Sequence, residues 1–159
     1  MKQLKILNTR ESRDIIDKIE AQYGCKMVFN GSLLRDSKDN IYLISREIDK
    51  IKFENLRINS MGLYLGEINK FQQFRLSIEG SQIVGVKAKK NVIELTEAQV
   101  KQYFHSEEII LTSEQQASVS GEPFLLLKYK NDFFGAAKYK DGKILNYLPK
   151  VHRTEELIM

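Results

Sequence analysis

The chain has 159 residues, 42% hydrophobic and 29% charged, with 2 Pro, 9 Gly and a formal net charge of +4. That length holds one domain with a sizeable core or two small ones sharing a seam, and the composition excludes the disordered and low-complexity classes. No apolar run approaches the roughly 20 residues of a membrane helix, and MKQLKILNTRES has neither the apolar core nor the small-residue cleavage site of a signal peptide, so a cytoplasmic location is expected. The single cysteine, Cys25, excludes an internal disulfide and a cysteine-based zinc site; it reads as a small buried apolar residue.

In chain order, NTRESRDIIDKIEAQYG (8–24) predicts an amphipathic helix. Ile15, Ile16, Ile19 and Tyr23 form one stripe, Asn8 or Thr9 caps the start and Gly24 stops it. CKMVFNGSLLRDSKDNIYLIS (25–45) reads as short strands, with RDSKDN a polar turn between Leu33-Leu34 and residues 41–44. Ser45 can cap a short helix, REIDKIKF (46–53). NLRINSMGLYLGEI (55–68) and QQFRLSIEG (72–80) read as paired strands around NKFQ, with Phe74, Leu76 and Ile78 alternating as in a half-buried strand. The pattern changes near GSQIVGVKAKK, which puts a domain boundary at about residues 84–90 and divides the chain into 1–86 and 87–159, two halves expected to pack together. Beyond it come a strand over 92–95, a helix EAQVKQYF with the capping-box pair Thr96 and Gln99, and then strands in IILT, PFLLLKYK, FFGAAKYK and KILNYL.

Enzyme motifs are scarce. There is no G-x-G-x-x-G, no G-x-x-x-x-G-K-[ST] and no H-E-x-x-H. GAAKYKDGK has glycines and a lysine but the wrong spacing for a phosphate loop. His105 and His152 are 47 positions apart, and nothing in that spacing calls for a metal; His105 reads as a residue ending or flanking a helix. Glu107-Glu108 and Glu155-Glu156 are adjacent pairs whose side chains diverge in extended chain, which suits a solvated role. Neither a catalytic residue nor a cofactor is expected.

What stands out is NDFFGAAKYKDGKILNYLPKVHR (131–153), two short strands joined at Asp141-Gly142. From Lys128 to Arg153 there are seven basic and two acidic residues, a net of +5, so this segment accounts for the excess charge of the chain. Lysines attract phosphates without regard to sequence, and the interleaved Tyr129, Phe133, Phe134, Tyr139 and Tyr147 offer faces on which unpaired bases could stack. Alternating Lys and Tyr equally describes any half-exposed strand. Lys87, Lys89 and Lys90 form a second, smaller basic cluster.

FFGAAKYKDGKILNYLPKVHR resembles the last strands of a PUA domain, and KILNYLPKVHR is especially similar to PUA modules attached to, or working beside, NOL/NOP/Sun-type RNA cytosine methyltransferases. NIYLISREIDKI, INSMGLYLGEI and FQQFRLSIEG resemble, in order and spacing, the N-terminal domain of the Nip-seven family, small two-domain factors of 60S ribosome biogenesis with archaeal relatives. The resemblance covers about residues 10–153. It implies an α+β fold: an N-terminal antiparallel sheet with helices, followed by a C-terminal PUA-like β pseudo-barrel that binds RNA without catalysis. By position it implies an RNA-binding surface of Lys138, Lys140, Lys143, Lys150, His152 and Arg153, with Lys128 pointing there or elsewhere.

The expected partner is rRNA or tRNA, as U-rich single strand, together with pre-ribosomal or RNA-modifying proteins, and no membrane. The expected function is rRNA processing in ribosome biogenesis. The alternatives are an accessory module acting in trans with an RNA methyltransferase, or a protein–protein adaptor with degenerate RNA binding. One departure bears on this choice: after the helix, FHSEEIILTSEQQASV lacks the glycines usual in PUA domains and carries Glu107, Glu108 and Glu114. Either that rim of the groove is degenerate, or RNA lies mainly along the hairpin and tail.

Overall fold

A computed structural model describes residues 4–44, 62–121 and 124–145. The expected helix over 46–53 and the last residues of the basic tail lie outside these.

The first half opens with β1 (Leu4–Ile6) and α1 (Thr9–Tyr23). Asn8 caps α1 in a reciprocal capping box: its Oδ1 accepts from Glu11 N at 2.8 Å, and Glu11 Oε1 accepts from Asn8 N at 3.1 Å. Gly24, at φ 63°, ends the helix as expected. β2 (Ser32–Asp36), β3 (Asn40–Ile44), β4 (Leu63–Ile68) and β5 (Phe74–Leu76) follow. They form a sheet in the order β1-β2-β3-β4-β5, antiparallel throughout. The apolar stripe of α1 (Ile15, Ile19, Tyr23) packs with Leu33, Ile41, Leu65, Phe74 and Leu76, while Leu34 and Ile44 form a small cluster of their own.

The polar turn between β2 and β3 is organised by Asp36, only 4% exposed. Its carboxylate accepts from Lys38 N, Asn40 N, Asn40 Nδ2 and the Tyr42 hydroxyl. Two sequence expectations are corrected here. Residues 25–29 form no strand: Cys25 N turns back to Glu20 O and Met27 N donates to Glu20 Oε2 at 2.9 Å, so both donors are taken by the end of α1. The strand over 74–78 stops at Leu76, because Ser77 caps a helix.

That helix is α2 (Ile78–Gly85). With two glycines and β-branched Ile78, Ile83 and Val84, its propensity is poor; cap and packing hold it. Ser77 Oγ accepts from Gly80 N at 2.8 Å and donates to Tyr64 O at 2.5 Å, while Ser77 N donates to Leu65 O at 2.9 Å. The helix is thereby fastened to β4.

The second half contains β6 (Val92–Glu94), α3 (Glu97–Phe104), β7 (Ile109–Ile110), α4 (Ser113–Gln116), β8 (Phe124–Tyr129), β9 (Asp132–Lys140) and β10 (Lys143–Leu145). Thr96 and Gln99 form the expected capping box of α3. The single turn α4, capped by Thr112 and Gln115, was not legible in the sequence. The sheet order is β6-β8-β9-β10-β7, with β6 parallel to β8 and the other pairs antiparallel, so this second sheet is mixed. The α+β class holds.

The second sheet is apolar on both faces. Leu125, Leu127, Ala137 and Ile144 pack with Val100 and Tyr103 of α3, and Phe124, Leu126 and Ala136 join the core of the first half. α2 lies across that joint. Gly135 N donates to Ser81 Oγ at 2.8 Å, with Ser81 fully buried.

Burial also sets two tyrosine hydroxyls apart. Tyr64, which donates to Asn40 Oδ1, and Tyr103, which donates to Phe134 O, are both pushed up to about 12, mainly by burial. An unfolded tyrosine releases its proton near 10. The folded state therefore holds these protons longer, and its stability is full below pH 10 and lost as pH rises from 10 towards 12. Denaturant midpoints measured across that window should fall with pH. A flat midpoint would contradict the burial of the two hydroxyls.

Candidate nucleic-acid interface

The basic hairpin is a two-residue β-turn connection. Asp141 and Gly142 have φ 51° and 80°, the pair of positive values that a type I′ hairpin requires and that Asp-Gly supplies. The turn sets the register: Lys143 lies opposite Lys140, Ile144 opposite Tyr139 and Leu145 opposite Lys138. Because side chains alternate along a strand, Lys138, Lys140 and Lys143 share one face. Opposed like charges repel, so this row leaves positive potential unspent.

Glu108 removes part of it. Its carboxylate lies 3.2 Å from Lys143 Nζ, both side chains about half exposed at 49%. An exposed pair of this kind contributes no more than about 1 kcal/mol, yet it occupies Lys143. The acidic rim foreseen after α3 therefore meets the hairpin through one glutamate, delivered by the pairing of β7 with β10. No ion pair engages Lys138 or Lys140 among the described residues. Lys150, His152 and Arg153 lie outside the described residues, as does Tyr147.

Among the described residues, Phe133, Phe134 and Tyr139 are packed into the fold and offer no open stacking face. Phe133 is buried, Phe134 packs against Tyr103 and Phe104 with ring centroids 6.3 and 5.7 Å away, and Tyr139 packs on the second core. The alternation that lines up the lysines sends Tyr139 to the opposite face. What the described hairpin presents is a row of point charges.

Lys128 points away from the hairpin. Its strand position faces Phe133, at the other end of β9, and its Nζ stands 5.7 Å from that ring's centroid. His105 ends α3, its N–H donating to Lys101 O at 3.1 Å. No group of three or more His, Cys, Asp or Glu side chains that could hold a metal occurs among the described residues, and no described helix is long and apolar enough to cross a membrane.

Comparison with known proteins divides the chain at α2. Residues 4–78 match the family described as NIP7/UPF0113, pre-PUA domain. Residues 90–154 match the family described as Methyltransferase RsmF PUA domain. The chain is also similar to the ribosomal RNA small subunit methyltransferase F of Aeromonas salmonicida (strain A449), 27% identical over 144 residues. That alignment takes in 91% of this chain, and so extends well beyond the PUA match, but only 28% of the relative's length. Residues 4–78 are thus similar to the NIP7-type pre-PUA domain, and residues 90–154 are similar to the PUA domain of the RsmF methyltransferases.

Proposed function

We propose that this protein is a non-catalytic RNA-binding factor that acts in ribosome biogenesis, in the cytoplasm, and grips RNA with its PUA half. The observation that carries the reading is the row Lys138–Lys140–Lys143 on one face of the hairpin, with two of the three lysines unengaged by any carboxylate among the described residues. Lys150, His152 and Arg153 follow the hairpin in sequence and add basic charge to the same segment. The likeness to a PUA domain supports RNA as the polyanion, and the NIP7-like half supports an rRNA-processing role.

A purified sample should bind U-rich or ribosomal single-stranded RNA in the micromolar range. The log–log plot of affinity against salt should fall with a slope of about 0.7 for each phosphate engaged. Fluorescence anisotropy over a salt series measures this, and an affinity that stays flat from low to moderate salt would sink the electrostatic account.

One observation favours a second reading, an accessory module that works in trans with an RNA methyltransferase. The chain aligns over nearly its whole length with little more than a quarter of a methyltransferase. Co-purification with a methyltransferase and absence from pre-ribosomal particles would select this reading over the first.

A further inference from the structure

At the end of β9 remote from the hairpin, a depression of about 300 Å³ opens where the two halves meet, with Lys89, Lys90, Asn91, Ser118, Lys128 and Phe133 in its wall. Three parts of the chain build it. Gly85, the last residue of α2, lies so close to Phe133 that a Cβ there would stand 2.4 Å from the ring. The chain then crosses to β6, and Lys89 N and Lys90 N both donate to Tyr23 O at the end of α1, at 2.8 and 3.2 Å. This fixes the backbone from which two lysine side chains depart. The third lysine, Lys128, arrives from β8 beside the Phe133 ring.

Asn91 is the framework of this wall. It is fully buried, donates through Nδ2 to Gln22 O at 2.7 Å and accepts at Oδ1 from Ser120 N at 2.8 Å. It ties α1, β6 and the segment before β8 to one point, so the lysines around it are mounted on rigid parts.

The charge in this concavity is not neutralised from within. Glu94 is the register partner of Lys128, but its Oε1 accepts from Lys130 N at 3.1 Å. No ion pair joins Lys89, Lys90 or Lys128 to a carboxylate among the described residues. The C-terminal ends of α1 and α2 each offer about half a negative charge, together still short of three ammonium groups. Like charges held in a concave wall focus positive potential and call for an anion, and lysine is a compact point-charge binder of phosphate.

We infer that this seam depression is a second phosphate-binding site, which takes an RNA phosphodiester at a distance from the hairpin. The inference rests on the RNA-binding reading above. Phe133 and Lys140 are seven residues apart on one strand, about 23 Å at 3.3 Å per residue. A strand of RNA that touches both ends of β9 must therefore pass α2, and the footprint includes the joint between the halves as well as the PUA hairpin.

The test is anisotropy with a U-rich single strand long enough to span β9, using the full chain. Lys89→Gln with Lys128→Gln keeps the aliphatic stems and removes two charges; binding should weaken about tenfold at low salt, and the salt slope should drop by about 1.4. Lys38→Gln with Lys70→Gln removes the same charge from exposed turns of the first half and should change affinity less than about twofold by the same electrostatics. Equal losses in the two double variants, or none in the first, would overturn the seam site while leaving RNA binding intact. A wild-type protein that binds no RNA would overturn the RNA-binding reading, and the seam site with it.

Discussion

Replacing Gly80 with alanine is expected to cost about 3 kcal/mol of stability, although the position is helical and alanine is the better helix former by about 1 kcal/mol. The reason is where α2 lies. A Cβ on Gly80 would stand 2.2 Å from the backbone oxygen of Leu65 and 3.2 Å from Leu76 Cδ2. Leu65 O cannot retreat, since it accepts from Ser77 N on a strand paired on both sides. The helix must lift instead, and lifting it strains the bonds from Ser77 Oγ to Tyr64 O and from Gly135 N to Ser81 Oγ. Overpacking usually costs about 1–3 kcal/mol, and contact with rigid backbone puts this case at the upper end. For a chain of this length the melting temperature should fall by about 10 °C. Gln82→Ala, an exposed change on the same helix, should leave it within a degree or two. Equal melting of Gly80→Ala and wild type would refute the close apposition of α2 and β4.

The second large effect is on RNA. Lys138→Ala, Lys140→Ala, Lys150→Ala and Arg153→Ala combined should weaken binding about a hundredfold at low salt and lower the salt slope by nearly 3, about 0.7 for each phosphate released. Stability should barely move, because Lys138 and Lys140 make no ion pair among the described residues and Lys140 directly opposes Lys143. Urea midpoints measured beside the binding curves separate the two effects. Unchanged RNA affinity in a folded quadruple variant would remove the hairpin and tail from the interface and favour an adaptor role.

Where structure was legible in the sequence, a local signal was complete. α1 announces itself through its apolar stripe, Asn8 at its start and Gly24 at its stop; the hairpin does so through Asp-Gly between two alternating runs. α2 gives no such signal, because its determinants are distant in sequence: the β4 carbonyls, Gly135 and the Phe133 ring. Its own residues, IEGSQIVG, fit a strand or a turn better than a helix.

The candidate site divides in the same way. That Lys138 and Lys140 share a face follows from strand alternation, and Lys143 joins them through a turn that the sequence names. That Glu108 would hold Lys143 depends on a two-residue strand pairing with β10, too short to read. Alternating Lys and Tyr left the use of the rings open; that Phe134 packs on Tyr103 and Phe104 of α3, and Phe133 on Gly85 of α2, depends on helices that strand alternation does not place. The three lysines of the seam depression were visible only as a cluster and a stray, since Lys128 reaches Lys89 and Lys90 through the fold alone.

The position of α2 has a consequence for how such a protein can be inherited or rearranged. The helix packs on Leu65 of one sheet and its Ser81 accepts from Gly135 of the other, so it is common to both halves. A second half cut away at the sequence frontier would carry Phe124, Leu126 and Ala136 into water without their cover. The transplantable unit is the pair, with α2 as its common wall, and recombination that respects this would move both halves together.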